Sequence, residues 1–275
     1  MIDSTATPRI SCSPLLKRLT LILIVCAATV TTGHVAAQTL QKFSVSYSAN
    51  LTLDEKQANS TGMSKTMVSA LSGKAVTIAD VTDTVTLTKN TYHIQSTGTL
   101  KTILSMFVSK GTFVRVSDGQ ISDSTLNTLR YVDIRASNPP LTTLIDEKNS
   151  NILFYNGKTK TATTPYKNKI RDVLSVGYSF IGKLPTSAFT TTLADGKSIK
   201  QAVFDVSKET LALPTGKTDT IKLTRRLASK GDASVEYWLR ASDGLPLRMR
   251  IGMNERYGVI LDMIATTIPN KVLAL

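Results

Sequence analysis

The stretch KFSVSYSANLTL, residues 42–53, alternates apolar and polar side chains without interruption. Successive side chains of a strand point to opposite faces of a sheet, so this pattern predicts a long strand with one buried face. Looser alternation recurs along the chain, around residues 84–96, 112–117, 129–135, 198–206, 218–227, 234–240, 245–252 and 256–264. Most of the chain is therefore predicted to be β-strand.

Short turns separate several of these segments. The dipeptides Asp118-Gly119, Asn156-Gly157, Asp195-Gly196 and Asp243-Gly244 accept the positive φ angles of tight hairpins, and Pro214-Thr215-Gly216 gives a further reversal. Strands joined in this way pair antiparallel, and a sheet with few helices to cover it must curl or fold on itself. We predict an all-β domain, a single curved antiparallel sheet that forms an open or half barrel.

Two short helices are expected to interrupt the strands. Leu100, Ile103, Leu104 and Phe107 recur at helical spacing, and a second apolar run from Val173 to Ile181 follows Asp172, a good N-cap residue. We expect both helices to cover one end of the sheet. The polar stretch 54–64 has no periodicity and is predicted to be a loop.

The first 37 residues have the layout of a secretory signal peptide. Basic residues lead into the apolar run 19–30, and the small residues Val35-Ala36-Ala37 follow. The apolar run has about a dozen residues, whereas a spanning helix needs about 20, so a permanent membrane anchor is the weaker interpretation. We expect cleavage after Ala37 and a periplasmic protein whose residues 38–275 form a single β-rich domain.

Both cysteines lie in the segment expected to be removed. Without Cys12 and Cys26, the mature chain has no thiol for a disulfide, a thiolate nucleophile or a soft metal ligand. Lipidation of Cys26 is the alternative, but Val25 stands where a small residue is normally required. The mature chain must therefore be stabilised by a buried core.

The charge of the chain indicates the chemistry of its partners. The net charge is +13, and +11 would remain after removal of residues 1–37. Such a protein is expected to contact anionic lipid head groups, lipopolysaccharide phosphates or acidic cell-wall polymers. Export argues against nucleic acid, the usual partner of a basic domain.

Candidate catalytic groups are few. His93 is the one histidine of the mature chain, and its neighbours Tyr92 and Ile94 point to the opposite face, so we predict an exposed strand residue with no partner to orient it. One histidine without cysteines excludes the common zinc spacings. The carboxylates Asp205 and Glu209 are not distinguished from solvated charges. The sequence predicts no catalytic residue, no metal site and no cofactor.

The last four predicted strands bring cations together. If they form a meander, the side chains of several basic residues and the single tryptophan share one face of the sheet. The resulting candidate ligand-binding residues are Trp238, Arg240, Arg248, Arg250, Lys222 and Arg226. Arginine suits phosphate because its planar fork donates two hydrogen bonds at once. The alternative is a solvated face with cross-strand ion pairs, for example to Glu236, each contributing about 0.2–1 kcal/mol.

From about residue 166 to residue 267 the order of short motifs resembles an exported bacterial family, domain of unknown function 3108. These motifs are Arg171-Asp172-Val173-Leu174-Ser175, Asp195-Gly196-Lys197, Leu213-Pro214-Thr215-Gly216, Tyr237-Trp238-Leu239, Asp243-Gly244-Leu245-Pro246 with Leu247-Arg248-Met249-Arg250, and the strand through Tyr257, Gly258, Val259 and Leu261. The resemblance implies an envelope location and an open, curved antiparallel sheet. It implies no reaction.

Three functions are compatible with these observations. The first is a soluble, non-enzymatic binding or assembly factor that holds an amphipathic or anionic envelope component, such as a lipid, lipopolysaccharide or cell-wall polymer, against the concave side of the sheet. The second is an interaction protein that docks on an envelope protein. The third is a carboxylate-based envelope hydrolase. An enclosed apolar cavity would favour a lipid carrier.

Overall fold

The computed structural model describes residues 39–53, 75–101, 111–135, 138–228, 232–254 and 258–275. The predicted signal peptide, the predicted loop 54–64 and, of the first predicted helix, Ile103, Leu104 and Phe107 lie outside these ranges. Leu100, expected in that helix, is the last residue of a strand.

The described residues form 15 strands and one helical turn. The first part of the chain contains β1 (Thr39–Leu53), β2 (Val76–Thr88), β3 (Thr91–Leu100), β4 (Thr112–Ser122), β5 (Thr125–Arg135), β6 (Leu141–Asp146), β7 (Asn151–Asn156) and β8 (Thr159–Pro165). The second part contains β9 (Ile170–Asp172), α1 (Ser175–Tyr178), β10 (Phe189–Ala194), β11 (Ile199–Leu213), β12 (Gly216–Arg225), β13 (Val235–Arg240), β14 (Pro246–Asn254) and β15 (Val259–Thr267).

All the strands belong to one sheet. Its order is β8-β7-β6-β5-β4-β3-β2-β1-β15-β14-β13-β12-β11-β10-β9, so β1 joins a meander of the first eight strands to a second one. Every neighbouring pair is antiparallel except β9 and β10, which are parallel. The sheet does not close into a barrel within the described residues, and β9 and α1 instead contact β5 through side chains. The predicted all-β fold with an open, curved antiparallel sheet is confirmed.

The predicted strand segments all fall on observed strands, although the bounds of β2, β4 and β11 differ from the prediction by at least about five residues, and β6 to β10 were not predicted. The segment 84–96 proves to be the end of β2, a turn at Lys89–Asn90 and the start of β3. The Thr88 hydroxyl accepts the N–H groups of Asn90 and Thr91, which keeps the reversal short. The alternation of apolar and polar residues does not reveal so short a turn. Strands β6 to β10 have three to seven residues each, too few for a clear period.

Asp118-Gly119 was wrongly predicted to be a hairpin turn. Both residues lie inside β4, and the reversal occurs at Asp123 and Ser124, with φ angles of 54° and 55°. Gly119 serves close approach instead, because a Cβ atom there would lie 2.0 Å from the carbonyl oxygen of Asn127. The other four predicted turns are present at Gly157, Gly196, Gly216 and Gly244, each with positive φ.

The second predicted helix is shorter than expected. Only Ser175–Tyr178 is helical, and all four residues are buried. Leu174, Tyr178 and Ile181 pack with residues of β1 to β3, while Val176 and Phe180 pack with residues of β11 to β13. The segment around α1 therefore fills space between the two halves of the sheet.

The core consists of the inward-facing residues of the sheet and this central segment. The largest apolar cluster includes Val45, Val85, Ile94 and Leu247, and a second one is built around Phe204 and other side chains of the C-terminal half. A third cluster joins Ile152 and Phe154 of β7 to Ile170 of β9 and Ala194 of β10. The two ends of the sheet thus pack face to face through apolar side chains.

A buried carboxylate, Asp172, anchors the end of β9. One of its oxygens accepts hydrogen bonds from Ser117 at 2.5 Å and Thr128 at 2.7 Å, on β4 and β5. The other accepts the backbone N–H groups of Leu174 and Ser175, both at 2.8 Å, at the start of α1. The predicted role of Asp172 at the helix start is present, although Leu174 occupies the N-cap position. The same side chain also ties β9 to the opposite half of the sheet.

We expect Asp172→Ala to lower the free energy of unfolding by at least about 3 kcal/mol, because each buried donor left without a partner costs about 1–3 kcal/mol. Urea unfolding measures this. Asp205→Ala is the control, since Asp205 is an exposed acid paired with Arg226, and its midpoint should stay near that of the wild type. Equal losses in the two variants would contradict the anchoring role of Asp172.

Candidate functional site

Four of the predicted ligand-binding residues meet on one face of the sheet. Lys222, Trp238 and Arg248 lie directly opposite one another on β12, β13 and β14, and Arg250 lies opposite Glu236. The Lys222 ammonium nitrogen is 4.6 Å from the centre of the indole ring, and the Arg248 guanidinium carbon is 4.8 Å from it. Directly opposed side chains share a face, so the predicted parity brings these four together.

Carboxylates neutralise this group of cations. Lys222 lies 2.7 Å from Glu236, which is also 3.9 Å from Arg250. Arg248 donates two hydrogen bonds to Asp262 on β15, at 2.8 Å and 2.5 Å. We call Lys222, Glu236, Trp238, Arg248, Arg250 and Asp262 the tryptophan ladder. Glu209 of β11, 3.7 Å from Lys222, adds a third carboxylate beside the three cations of the ladder, so the charges balance, which is the arrangement of the alternative interpretation.

The indole of Trp238 is not an open surface. Its exposed fraction is 2%, and its ring belongs to the main apolar cluster. A flat floor for a ligand would require that ring to be accessible, and the stacked cations also cover it. Ligand binding at the ladder stays a prediction, and the geometry favours a stabilising role for these side chains.

The other two predicted residues lie elsewhere. Arg240 is 8% exposed and binds Asp243 at 2.8 Å and 2.6 Å and the carbonyl oxygen of Pro269 at 3.0 Å. Arg240 lies opposite Thr220 of β12, and its pairing with Asp243 in the following turn keeps it out of the ladder, which strand parity could not reveal. Arg226 follows the end of β12 and forms an exposed bidentate pair with Asp205.

His93 has a partner that the sequence analysis missed. Its Nδ1 atom lies 2.6 Å from Asp118, which also accepts a hydrogen bond from Arg130 at 3.0 Å. The three residues are directly opposite on β3, β4 and β5, so only the register could have shown the pair. The expectation of an exposed strand residue is met, since the His93 side chain is 44% exposed, but the expected lack of a partner is wrong.

The two carboxylates considered for hydrolysis are held in ion pairs. Asp205 is bound by Arg226, and Glu209 lies 3.7 Å from Lys222. Glu209 also lines an open pocket of about 360 Å³ with Asp219. Glu209 and Asp219 do not converge on a common point. Glu209 pairs with Thr220 and Asp219 pairs with Thr210, so their side chains lie on opposite faces of the hairpin.

A second buried carboxylate, Asp83, lies on the inner face of β2. Tyr178 of α1 donates a hydrogen bond to its Oδ2 atom at 2.7 Å, and the hydroxyl groups of Tyr178 and Tyr47 are 3.1 Å apart. Burial raises the pKa of the Asp83 carboxyl, while Ser96 and Tyr178 act in the opposite direction. Its Oδ1 atom has no well-directed hydrogen bond, although Ser96 lies directly opposite on β3. Asp83 thus fixes the helical segment to the sheet, and its burial disfavours the ionised form of the carboxyl.

A polar pocket opens where the two halves of the sheet meet. It measures about 300 Å³, and we call it the junction pocket; it is lined by Asp133, Arg135, Asn138, Pro139, Leu141, Asn156 and Lys197. Lys197 reaches it from the turn between β10 and β11, whereas the other residues belong to β5, β6, β7 and the segment before β6. The turn is held in place by the Asp195 carboxylate, which accepts the N–H groups of Lys197 and Ser198.

The junction pocket has an excess of positive charge. Its one acid, Asp133, is 2% exposed and accepts three hydrogen bonds from Arg135, at 2.6–3.1 Å. Arg115 adds a second positive charge at 3.7 Å from the same carboxylate. The Arg135 side chain remains 56% exposed, and Lys197 is exposed with no ion pair in the part of the chain that the structure describes. The pocket therefore presents a fixed guanidinium and a free ammonium beside two amides.

A third pocket, of about 250 Å³, lies between β5, β6 and the segment 166–170. Like the other two, it is lined largely by polar side chains, so none of the three is the apolar cavity that a lipid carrier needs. Among the described residues, no group of three or more His, Cys, Asp or Glu side chains is placed to hold a metal ion. The same residues contain no helix long and apolar enough to cross a membrane.

Comparison with protein families gives a match over most of the chain. Residues 66–264 match a family described as "Protein of unknown function (DUF3108)". The chain belongs to the DUF3108 family. The match extends well upstream of residue 166, where the resemblance in sequence motifs began, and it includes all the residues of the junction pocket and of the tryptophan ladder. No curated protein matches the chain.

We expect Arg248→Ala to destabilise the protein by roughly 1–2 kcal/mol, since it removes both a bidentate pair with Asp262 and a cation stacked on Trp238. Arg250→Ala should cost less than about 0.5 kcal/mol, because the longer contact with Glu236 is more exposed. Thermal unfolding of both variants tests the ladder as a stabilising element. A larger loss for Arg250→Ala would show that the ladder does not work as described.

Asp83→Asn should reduce the dependence of stability on pH. A carboxyl whose pKa is raised by folding contributes its full stability below the pKa of the unfolded chain, and this contribution is lost as pH rises through the raised pKa. Asparagine cannot ionise, so the fall in stability from about pH 4 to about pH 7 should be smaller in the variant than in the wild type. Urea midpoints across that range measure it, and parallel curves would contradict it.

Proposed function

We propose that this DUF3108 protein is a non-enzymatic binding or assembly factor of the bacterial periplasm that binds an anionic envelope component at the junction pocket. The observation that carries the proposal is the meeting of Arg135 and Lys197, from opposite halves of the sheet, in a pocket whose one acid is already paired. A planar guanidinium held by a buried carboxylate is preorganised to donate its remaining N–H groups to a phosphate or carboxylate.

The distribution of charge supports this pocket over the tryptophan ladder. The cations of the ladder have carboxylate partners on neighbouring strands, so an incoming anion would have to displace Glu236 or Asp262. Lys197 has no such competitor among the described residues. The net charge of +13 for the whole chain adds a general attraction for anionic polymers and head groups.

The interior of the sheet supports a polar ligand over an acyl chain. Tyr178, Leu174 and Ile181 of the central segment pack directly against the inner face of the sheet. An acyl chain would have to displace these side chains, whereas the junction pocket is already open. The predicted signal peptide supports a location where lipopolysaccharide and acidic polymers are present.

The test is the binding of the mature protein to lipopolysaccharide and to vesicles that contain phosphatidylglycerol. Lys197→Glu places a negative charge in the pocket and should weaken binding several-fold, and binding by the wild type should weaken as salt shortens the screening length from about 10 Å at 0.1 M. Lys217→Glu is the matched control, with the same change of charge on an exposed residue of β12. It should bind like the wild type.

A third variant separates the two candidate surfaces. Arg250→Glu introduces the same change of charge at the tryptophan ladder. If it weakens binding and Lys197→Glu does not, the ladder is the site and the junction pocket is not. Equal losses in Lys197→Glu, Lys217→Glu and Arg250→Glu would mean that net charge alone governs binding, which would overturn the proposed site.

A further inference from the structure

The two ends of the sheet differ in how they are covered. At one end, Ile170 and Asp172 of β9 are buried and contact β5 and α1. At the other end, β8 has β7 as its one neighbour in the described sheet, and every β8 side chain except that of Thr164 is exposed. Alternate residues of an edge strand direct their N–H and C=O groups away from the sheet, so β8 presents unpaired backbone groups to solvent.

The charge of this edge has one sign. From Asn156 to Lys169 the chain contains Lys158, Lys160, Lys167 and Lys169 and no acidic residue. Lys169 pairs with Asp123 at 2.9 Å, and the other three lysines have no ion pair in the described part of the chain. A strand that pairs with β8 would therefore gain from acidic side chains.

A second copy of the chain is a poor partner for this edge. Two β8 strands side by side would place lysines near lysines, a standard means by which edge strands avoid self-association. A register shift between Phe154 and Tyr155 leaves Thr161 unpaired in β8 and breaks the regular edge further. These features oppose a basic strand but not an acidic one.

The face beside the edge indicates the rest of the partner's pattern. Two rows of directly opposite residues run across the strands toward β8. The first begins with Val116 and Val132 and continues through Tyr155 to Lys160. The second contains Leu144 and Leu153 and ends at Thr163. Both rows lie on the face away from Phe154 and the apolar core, and all these apolar side chains but Val132 are partly exposed. An added strand would continue the first row with an acid and the second with an apolar residue.

We propose that β8 is a docking edge that accepts, as an added antiparallel or parallel strand, an extended segment of another envelope protein that combines acidic and β-branched residues. The backbone groups of β8 would supply the hydrogen bonds, and Lys158, Lys160 and Lys167 would select the acidic segment. This interaction does not depend on the junction pocket.

The probe is a synthetic peptide with the repeat Glu-Thr-Val-Thr, in which glutamate and valine alternate along one face of the strand, with a Lys-Thr-Val-Thr peptide as the control. The mature protein should bind the acidic peptide and not the basic one, and amide hydrogen exchange should slow in β8 but not in β9. Lys160→Glu with Lys167→Glu should weaken binding on the order of tenfold, since each exposed pair contributes a factor of about two to five. Lys197→Glu should leave peptide binding unchanged, which separates this proposal from the proposed function.

Backbone pairing is tested by proline. Of the adjacent residues Ala162 and Thr163, one directs its N–H to β7 and the other directs it to solvent. We expect one of Ala162→Pro and Thr163→Pro to retain wild-type stability while losing peptide binding, because proline at an outward position blocks an added strand without breaking β7–β8 pairing. Binding that survives both lysine substitutions, or protection that appears outside β8, would overturn the proposal, as would binding only to anionic vesicles.

Discussion

The hydrogen bonds of Asp172 hold the β9 end of an open sheet against β4 and β5 of its other half. No backbone ladder joins β9 to β5, so the contact depends on the side chains of Ser117 and Thr128 and on the apolar cluster around Phe154. One buried carboxylate with four directed donors fixes the position of β9 relative to β4 and β5, which apolar packing alone would specify less sharply. Lys197, in the turn that follows β10, lines the junction pocket together with Arg135, so the pocket depends on that position of β9 and β10.

Two buried acids therefore have different roles. Each carboxylate oxygen of Asp172 accepts two hydrogen bonds. One oxygen binds the backbone at the start of α1, and the other binds side chains of β4 and β5. Asp83 has one strong donor, Tyr178, and burial raises its pKa. The first anchors β9, and the second stabilises the position of α1. Because burial raises the pKa of both carboxyls, both make stability depend on pH.

The sequence predicted a strand well where one face of that strand is exposed to solvent and the other is buried. Alternation placed β1 within a few residues, and the glycine turns placed four of five predicted reversals. The sequence did not predict β8, where threonine and lysine stand in place of alternating apolar residues. This strand has no buried face, so its sequence has no apolar–polar alternation. Gly119 was also misread, because close approach to the carbonyl of Asn127 requires the same residue as a turn. Strand parity was enough to predict that Lys222, Trp238 and Arg248 share a face. It could not predict their acidic partner Asp262, because that contact follows from the pairing of β14 with β15. It could not predict the junction pocket either, because the pocket joins strands that are not neighbours in the sheet.

The position of β1 has a consequence for the order of folding. β1 pairs with β15, and the side chain of Thr266 reaches the carbonyl of Ser46, 220 positions earlier in the chain. During synthesis, the first strands appear long before their partner, so one edge of β1 stays open and its apolar face stays incompletely covered until the last strand arrives. Contacts of such high sequence separation slow folding and prolong exposure to aggregation. The sheet is complete only when β15, close to the far end of the polypeptide, has paired with β1.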